Sequence, residues 1–392
     1  MNNKDKEQKE HIDAWINNNC KGTSIAATGI GKTKMGLMAI DHILSKDIYN
    51  KALIVVPTEN LRDNEWPNEL KKWKLSKYKD RIDIQCIQTV YKWENYTCSI
   101  LIVDEVHTTL SYEYRNLYEN NSFDNIYCLT ATEPENDEYK EYLKGFAPTI
   151  KKTDTLDALD LELVSPYKVY NLGVSFTEEE VKEYKRFDTL FNKATNELGG
   201  RFVAFENATK LKNSKDKEEA KWANIFYMAM QKRKNICYNA VNKVELIKKI
   251  VNKFPNRKGL VFSQSINFAE NLQDILGEEC ITFHSKMKLK DKKRALKEFG
   301  DGRTKVRLIS SVKALNAGLN VPECSLGICA AGSSKALDNI QRRGRVLRMI
   351  EGKQALYINL YVRGTQEVKW VRKRTQNDYN CEWIETLNEI LT

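Results

Sequence analysis

Residues 26–33 read Ala26-Ala27-Thr28-Gly29-Ile30-Gly31-Lys32-Thr33, and residues 101–107 read Leu101-Ile102-Val103-Asp104-Glu105-Val106-His107. The first stretch follows an apolar strand and opens a helix beginning Lys34-Met35-Gly36-Leu37. Glycines at such a turn let backbone N–H groups approach phosphates, a lysine can reach the β and γ oxygens, and the next hydroxyl can ligate magnesium. Thr28, Gly29, Ile30, Gly31, Lys32 and Thr33 are therefore candidate ATP-binding residues, with Thr33 also a candidate Mg2+ ligand. The strict pattern has glycine where Ala26 stands, a position that starts the loop and need not touch phosphate. The second stretch is an apolar strand ending in adjacent carboxylates. A strand end lies at the carboxyl edge of a parallel sheet, where ligands bind in open α/β folds. Asp104 can hold magnesium there, and Glu105 can orient and polarise a water for in-line attack on the γ-phosphate.

Outward from these two stretches, short β-branched runs alternate with helical ones. Ala52–Pro57, Ser99–Val106 and Asn125–Thr132 form one series of expected strands. Gly259–Gln264, Cys280–His284, Val306–Val312, Leu326–Gly332 and Gln354–Val362 form a second. Strands interleaved with amphipathic helices predict parallel sheets covered on both faces. Between the series, from about 175 to 250, the pattern turns to long charged helices. Thr177 precedes three glutamates as an N-cap, and Gly199-Gly200 supplies a stop. The expected fold class is α/β, with two parallel-sheet lobes and a helical insertion between them. The expected boundaries are 1–160 for the ATP-binding lobe, 161–245 for a linker strand and the insertion, and 246–392 for the second lobe.

With 392 residues, more than one hydrophobic core is expected. An apolar fraction of 41% beside 30% charged residues excludes fibrous and disordered classes. No apolar run has bilayer length and no secretion signal opens the chain, so the cytosol is the expected compartment. Nine cysteines without a C-x-x-C pair point to reduced thiols rather than zinc or disulfides. A net charge of +10 suits a polyanion partner, because basic side chains release counterions from phosphates.

Lys32-Thr33, the D-E-V-H box and Leu129-Thr130-Ala131-Thr132 together resemble the DExH branch of superfamily 2 helicases and translocases, whose lobes are RecA-like. The resemblance runs from about Gln8 to Val362 in the family's motif order. It implies that Gln8 reads the adenine edge and that Thr130 and Thr132, with His107 as partner, couple nucleotide state to nucleic-acid grip. Gln341-Arg342-Arg343-Gly344-Arg345-Val346-Leu347-Arg348 is similar to the family's last motif. It implies catalytic roles for Arg345 and Arg348 as arginine fingers and for Gln341 as a γ-phosphate contact, in a cycle of lobe closure around ATP. The stretch from Ser310 to Pro322 resembles the fifth motif, with Gly318 and Asn320 near the ribose and Ser310 or Ser311 on a nucleic-acid phosphate.

Val55-Val56-Pro57-Thr58 resembles a strand-holding segment, which makes Thr58 a phosphate contact. By the same resemblance Gln88, Thr89, Ser263, Gln264 and Ser285 join the track. Phosphate contacts carry no base identity, so little sequence preference is expected. The insertion, preceded by Pro166-Tyr167 and followed by Asn242-Lys243-Val244-Glu245, is most similar to the XPB-like and UvsW-like group of DNA helicases. The expected activity is that of an ATP-dependent DNA helicase or translocase on single-stranded, forked or branched DNA, using ATP and Mg2+. An RNA-dependent ATPase and a nucleotide-gated DNA-binding subunit that does not unwind remain the alternatives. An asparagine and lysine bias suits a phage or AT-rich source and the cytosol of its host.

Overall fold

The computed structural model of the protein describes residues 2–215, 217–312, 324–332, 354–376, 378 and 380–390. The described chain divides into two compact units, one running to Tyr167 and the other starting at Lys168. Each contains a parallel sheet.

The first unit's strands are β1 (Lys21–Ala26), β2 (Ala52–Val56), β3 (Ile82–Cys86), β4 (Thr97–Asp104), β5 (Ser122–Thr130) and β6 (Thr149–Thr153), in the order β3-β2-β4-β5-β1-β6. Every residue of β2 is buried, as a strand covered by helices on both faces requires. Burying each such Val, Leu or Ile contributes roughly 1.5–3 kcal/mol before chain entropy is subtracted. Only β5 separates β1 from β4, so the loop after β1 and the carboxylates after β4 emerge at the same edge of the sheet.

The N-terminal helix Asn3–Asn17 is tied to this sheet through His11, whose side chain is fully buried. His11 Nδ1 lies 2.9 Å from Ser24 Oγ, which in turn lies 2.8 Å from the Tyr127 hydroxyl. Its Nε2 lies 3.0 Å from Thr153 Oγ1, whose hydroxyl donates to Glu7. Because the Thr153 hydroxyl gives its proton to Glu7, it accepts from Nε2–H, and a neutral imidazole then accepts at Nδ1 from Ser24. Burial drives the His11 pKa down to about 4, against the pull of Glu7. The unfolded chain binds this proton near pH 6.5 while the fold does not, so the neutral site stabilises the fold above pH 6.5 and loses that contribution as pH falls to 4. The loss is about 3 kcal/mol. Wild type should lose more stability than His11→Gln over this interval in urea titrations at a series of pH values; parallel pH profiles would contradict it.

The second unit's strands are β7 (Tyr167–Val174), β8 (Gly259–Ser263), β9 (Cys280–His284), β10 (Leu308–Val312), β11 (Leu326–Cys329), β12 (Ala355–Val362) and β13 (Cys381–Ile384). They lie in the order β13-β7-β12-β11-β8-β10-β9. Thus the linker strand β7 is part of the second sheet. From it the chain enters helices Glu178–Glu197, Ala204–Leu211 and Lys217–Tyr238. Thr177 caps the first in a capping box with Glu180, and Gly199 and Gly200, both at φ +91°, turn the chain after it. Ala194, Ala204, Ala208 and Ala223 form a seam of small buried residues, and Phe191 stacks on Phe226 at 5.0 Å. Lys210 pairs with Glu206 one turn earlier.

Among the described residues no helix is long and apolar enough to cross a membrane. None of the nine cysteines forms a disulfide.

Candidate nucleotide and nucleic-acid site

The loop between β1 and helix Lys32–Leu44 turns on two glycines, Gly29 at φ +104° and Gly31 at φ +102°. A Cβ at Gly31 would crowd the Gln8 amide, and the positive φ makes glycine the residue for this position. Gln8 is buried, donates from Nε2 to the Ile30 carbonyl at 2.6 Å, and leaves its Oε1 without a hydrogen-bond partner. That acceptor suits the amino group of an adenine edge. Ile30 is buried, whereas Thr28, Gly29, Lys32 and Thr33 are partly open. Thr33 stands in the helix's first turn, where the hydroxyl can face a cation bound to phosphate.

The carboxylates after β4 sit close to this loop. Lys32 Nζ lies 3.7 Å from Glu105 Oε1 and 3.5 Å from the Ala26 carbonyl. Asp104 is buried, and burial followed by the charge of Glu105 pushes its carboxyl up to about 6, with Lys32 opposing both. A divalent cation would supply the positive charge this carboxylate pair lacks, so the donor set fits magnesium. Glu105 occupies left-handed backbone at φ +54°, ψ +56°, a strained conformation for a non-glycine residue. The turn aims its carboxylate, whose Oε2 is buried without a hydrogen-bond partner and lies 3.6 Å from His107 Nδ1.

His107 Nδ1 also lies 3.1 Å from Thr130 Oγ1, at the end of β5. The Thr130 hydroxyl donates to the Thr132 carbonyl at 2.8 Å, so it accepts from His107. Burial holds His107 below the usual imidazole range, which keeps it a neutral donor. The three residues assigned to coupling thus share one hydrogen-bonded chain beginning beside Glu105.

In the sequence Trp66 reads as a packing aromatic of the core or rim. Its side chain is fully buried and its Nε1–H donates to Asp104 Oδ2 at 3.1 Å. Helix Lys32–Leu44 passes so close that a Cβ at Gly36 would lie 2.7 Å from the indole. The partners are 38 residues apart and no spacing connects them. Trp66→Phe keeps the packing and removes the hydrogen bond. Losing the group that orients a metal ligand weakens metal affinity by roughly tenfold or more. The Mg2+ concentration for half-maximal ATPase and for thermal stabilisation by ADP should both rise; an unchanged Mg2+ dependence would leave Trp66 a packing residue only.

Along the expected track, the Thr58, Ser310 and Ser311 hydroxyls are buried without hydrogen-bond partners. Gln88 and Thr89 are exposed, with Gln88 Nε2 3.4 Å from the Pro57 carbonyl. Ser263 is buried and donates to the Ser265 carbonyl at 3.2 Å, while Gln264 is half-buried and Ser285 exposed. Gly318, Asn320, Gln341, Arg345 and Arg348 lie outside the described residues.

A phosphate loop and a carboxylate pair on the carboxyl edge of a parallel sheet define a nucleoside-triphosphate-binding α/β protein. Residues 3–135 match the family "Type III restriction enzyme, res subunit", and residues 242–350 match "Helicase conserved C-terminal domain". The DNA 3'-5' translocase XPB2 of Sulfurisphaera tokodaii is 26% identical over 393 residues, covering 94% of this chain and 84% of that protein. The helicase domain of Pyrococcus furiosus Hef is similar in fold, with a TM-score of 0.56 at 16% identity, covering 95% of this chain and 97% of Hef's. S. cerevisiae Dbp5, in a structure with RNA and ADP BeF3, gives a TM-score of 0.62 at 13% identity, covering 97% of this chain and 88% of Dbp5's. The two sheets are RecA-like. The chain belongs to the superfamily 2 helicases and translocases, on their XPB-like side, and is a nucleic-acid-dependent ATPase.

Proposed function

We propose that the protein is an ATP-driven motor that moves along, unwinds or remodels single-stranded, forked or branched DNA in repair, recombination or replication. The observation that carries this reading is the Glu105 carboxylate, held by a strained backbone beside Lys32 with one buried oxygen free of any donor. Such an oxygen can accept the proton of an attacking water. Lys32 and the loop amides hold the β and γ phosphates, and Gln8 reads the base. Thr33 and Asp104 hold magnesium, which when bound neutralises charge on the transferring phosphate. Gln341, Arg345 and Arg348 complete hydrolysis, and Gly318 and Asn320 hold the ribose. Residues 1–160 and 246–392 act as the motor lobes, and 161–245 as linker strand and insertion.

A nucleic-acid track is supported by the unpartnered hydroxyls of Thr58, Ser310 and Ser311, and DNA as that track by the likeness to a DNA translocase. In this reading Gln88, Thr89, Ser263, Gln264 and Ser285 add to the phosphate grip, while His107, Thr130 and Thr132 relay the nucleotide state. The test compares ATPase stimulation and strand displacement with forked, four-way, single-stranded and duplex DNA and with RNA of matched sequence. Forked or branched DNA should stimulate most. Stronger stimulation by RNA would overturn the choice of DNA, and DNA binding without ATP-dependent displacement or translocation would overturn the motor.

A further inference from the structure

The second unit holds a cavity of about 610 Å³ between helices Glu178–Glu197 and Lys217–Tyr238 and the start of helix Gln366–Thr375. Its size is that of a small-ligand site rather than a packing void. None of the motif residues discussed above lines it.

Its charges do not cancel. Arg233 stands in the wall, bonded to Asp188 at 2.8 Å and stacked over Phe191 at 4.4 Å, and its Nε is buried without an acceptor. Glu367, the other acid of the lining, is taken up by Lys243 at 2.8 Å. Arg201, Lys234 and Lys369 also line the cavity, and none of them has a carboxylate partner among the described residues. The lining is thus basic, with both of its carboxylates already neutralised. Aromatic residues stand among these cations. Phe205 is 61% exposed although it lines the cavity, and half-buried Trp370 has Lys234 Nζ 5.8 Å from its ring. An apolar peptide gains nothing from the unpaired cations, and a simple anion gains nothing from phenyl and indole rings. A nucleotide uses both.

We propose that this cavity binds one or two nucleotides of a single DNA strand, with backbone phosphates on Arg201, Lys234 and Lys369 and a base against Phe205 and Trp370. The buried Arg233 Nε offers a donor for a phosphate or base oxygen inside it. The proposal rests on the reading of the chain as a DNA motor and adds a second grip on the strand, outside the conserved-type track. Cation-lined grooves bind single strands through phosphates, and an aromatic platform stacks any base, so the site needs no preferred sequence.

The test uses the full chain and labelled oligothymidylate. The charge-reversal pair Arg201→Glu with Lys369→Glu should weaken binding at least tenfold and reduce the slope of log affinity against log salt by about 1.4, two single-strand phosphate contacts' worth. Phe205→Ala should weaken binding by about fivefold or more, and the loss should vanish on an abasic strand of equal length. Both changes are on exposed side chains, and DNA-free ATPase should match wild type as a check on folding. Photocrosslinking of a 4-thiothymidine strand should place adducts on the peptide carrying Trp370. Wild-type affinity and salt slope in both variants would overturn the site while leaving the motor intact. A Phe205→Ala loss that persists on the abasic strand would overturn the stacking role. Failure of wild type to bind any DNA would instead bring down the motor reading and this proposal together.

Discussion

Glu105→Gln is expected to bind ATP as wild type does and to hydrolyse it roughly 10²–10⁴-fold more slowly, the usual contribution of a positioned general base. The amide preserves shape, and the strained turn at φ +54° is unaffected by the change. What disappears is the basicity of an oxygen buried without a donor and the attraction between the carboxylate and Lys32 at 3.7 Å. Removing a negative charge beside buried Asp104 should also lower its raised pKa, although burial, the larger cause, stays. Single-turnover hydrolysis with DNA present, beside nucleotide affinity by equilibrium titration, separates the two effects. A rate within a factor of a few of wild type would remove Glu105 from the chemistry.

Lys243→Met is expected to destabilise the second unit by about 3–5 kcal/mol, because it strands a buried partner. Lys243 is wholly buried and donates to the carbonyls of Cys237 at 2.9 Å and Ala330 at 2.8 Å, and to both oxygens of Glu367 at 2.9 and 2.8 Å. Glu367 also accepts from the Val362 N–H at 2.9 Å. One ammonium therefore joins the end of the helical insertion, the end of β11, the end of β12 and the helix that follows it. Met matches the stem but leaves the carboxylate unpaired and two carbonyls without a donor. The melting transition of that unit should fall by on the order of 10 °C. Adding Glu367→Gln should recover part of the loss, since the stranded charge is the larger share of the cost. A single variant that melts as wild type would show that Lys243 is not a keystone of this unit.

Much of this architecture was legible because it is local. The phosphate loop needs Gly29 and Gly31 at particular backbone angles, the carboxylates need a strand end, and the capping box at Thr177 needs Glu180 one turn on. Runs such as Cys280–His284 declare a buried strand by apolar content alone. What could not be read is long-range pairing. The four residues of β13, two of them exposed, carry little strand signal; they form a strand because β7, more than two hundred residues earlier, offers a partner. Trp66 reads as core until its indole is seen at Asp104, and the basic cavity draws its lining from segments on either side of most of the second sheet. Periodicity tells which side of an element faces inward, not which distant element it meets.

The placement of β13 also bears on how the protein keeps to itself. An all-parallel sheet must stop somewhere, and its last strand offers a row of open peptide groups to any passing chain. Here the outermost position beyond largely buried β7 is taken by only four residues, with Glu382 paired to Lys168 and Glu385 to Arg363 at its margin. A stub this short, flanked by charge, gives an incoming strand too little backbone to grip. So short a strand acts as a bumper against self-association at this margin of the sheet.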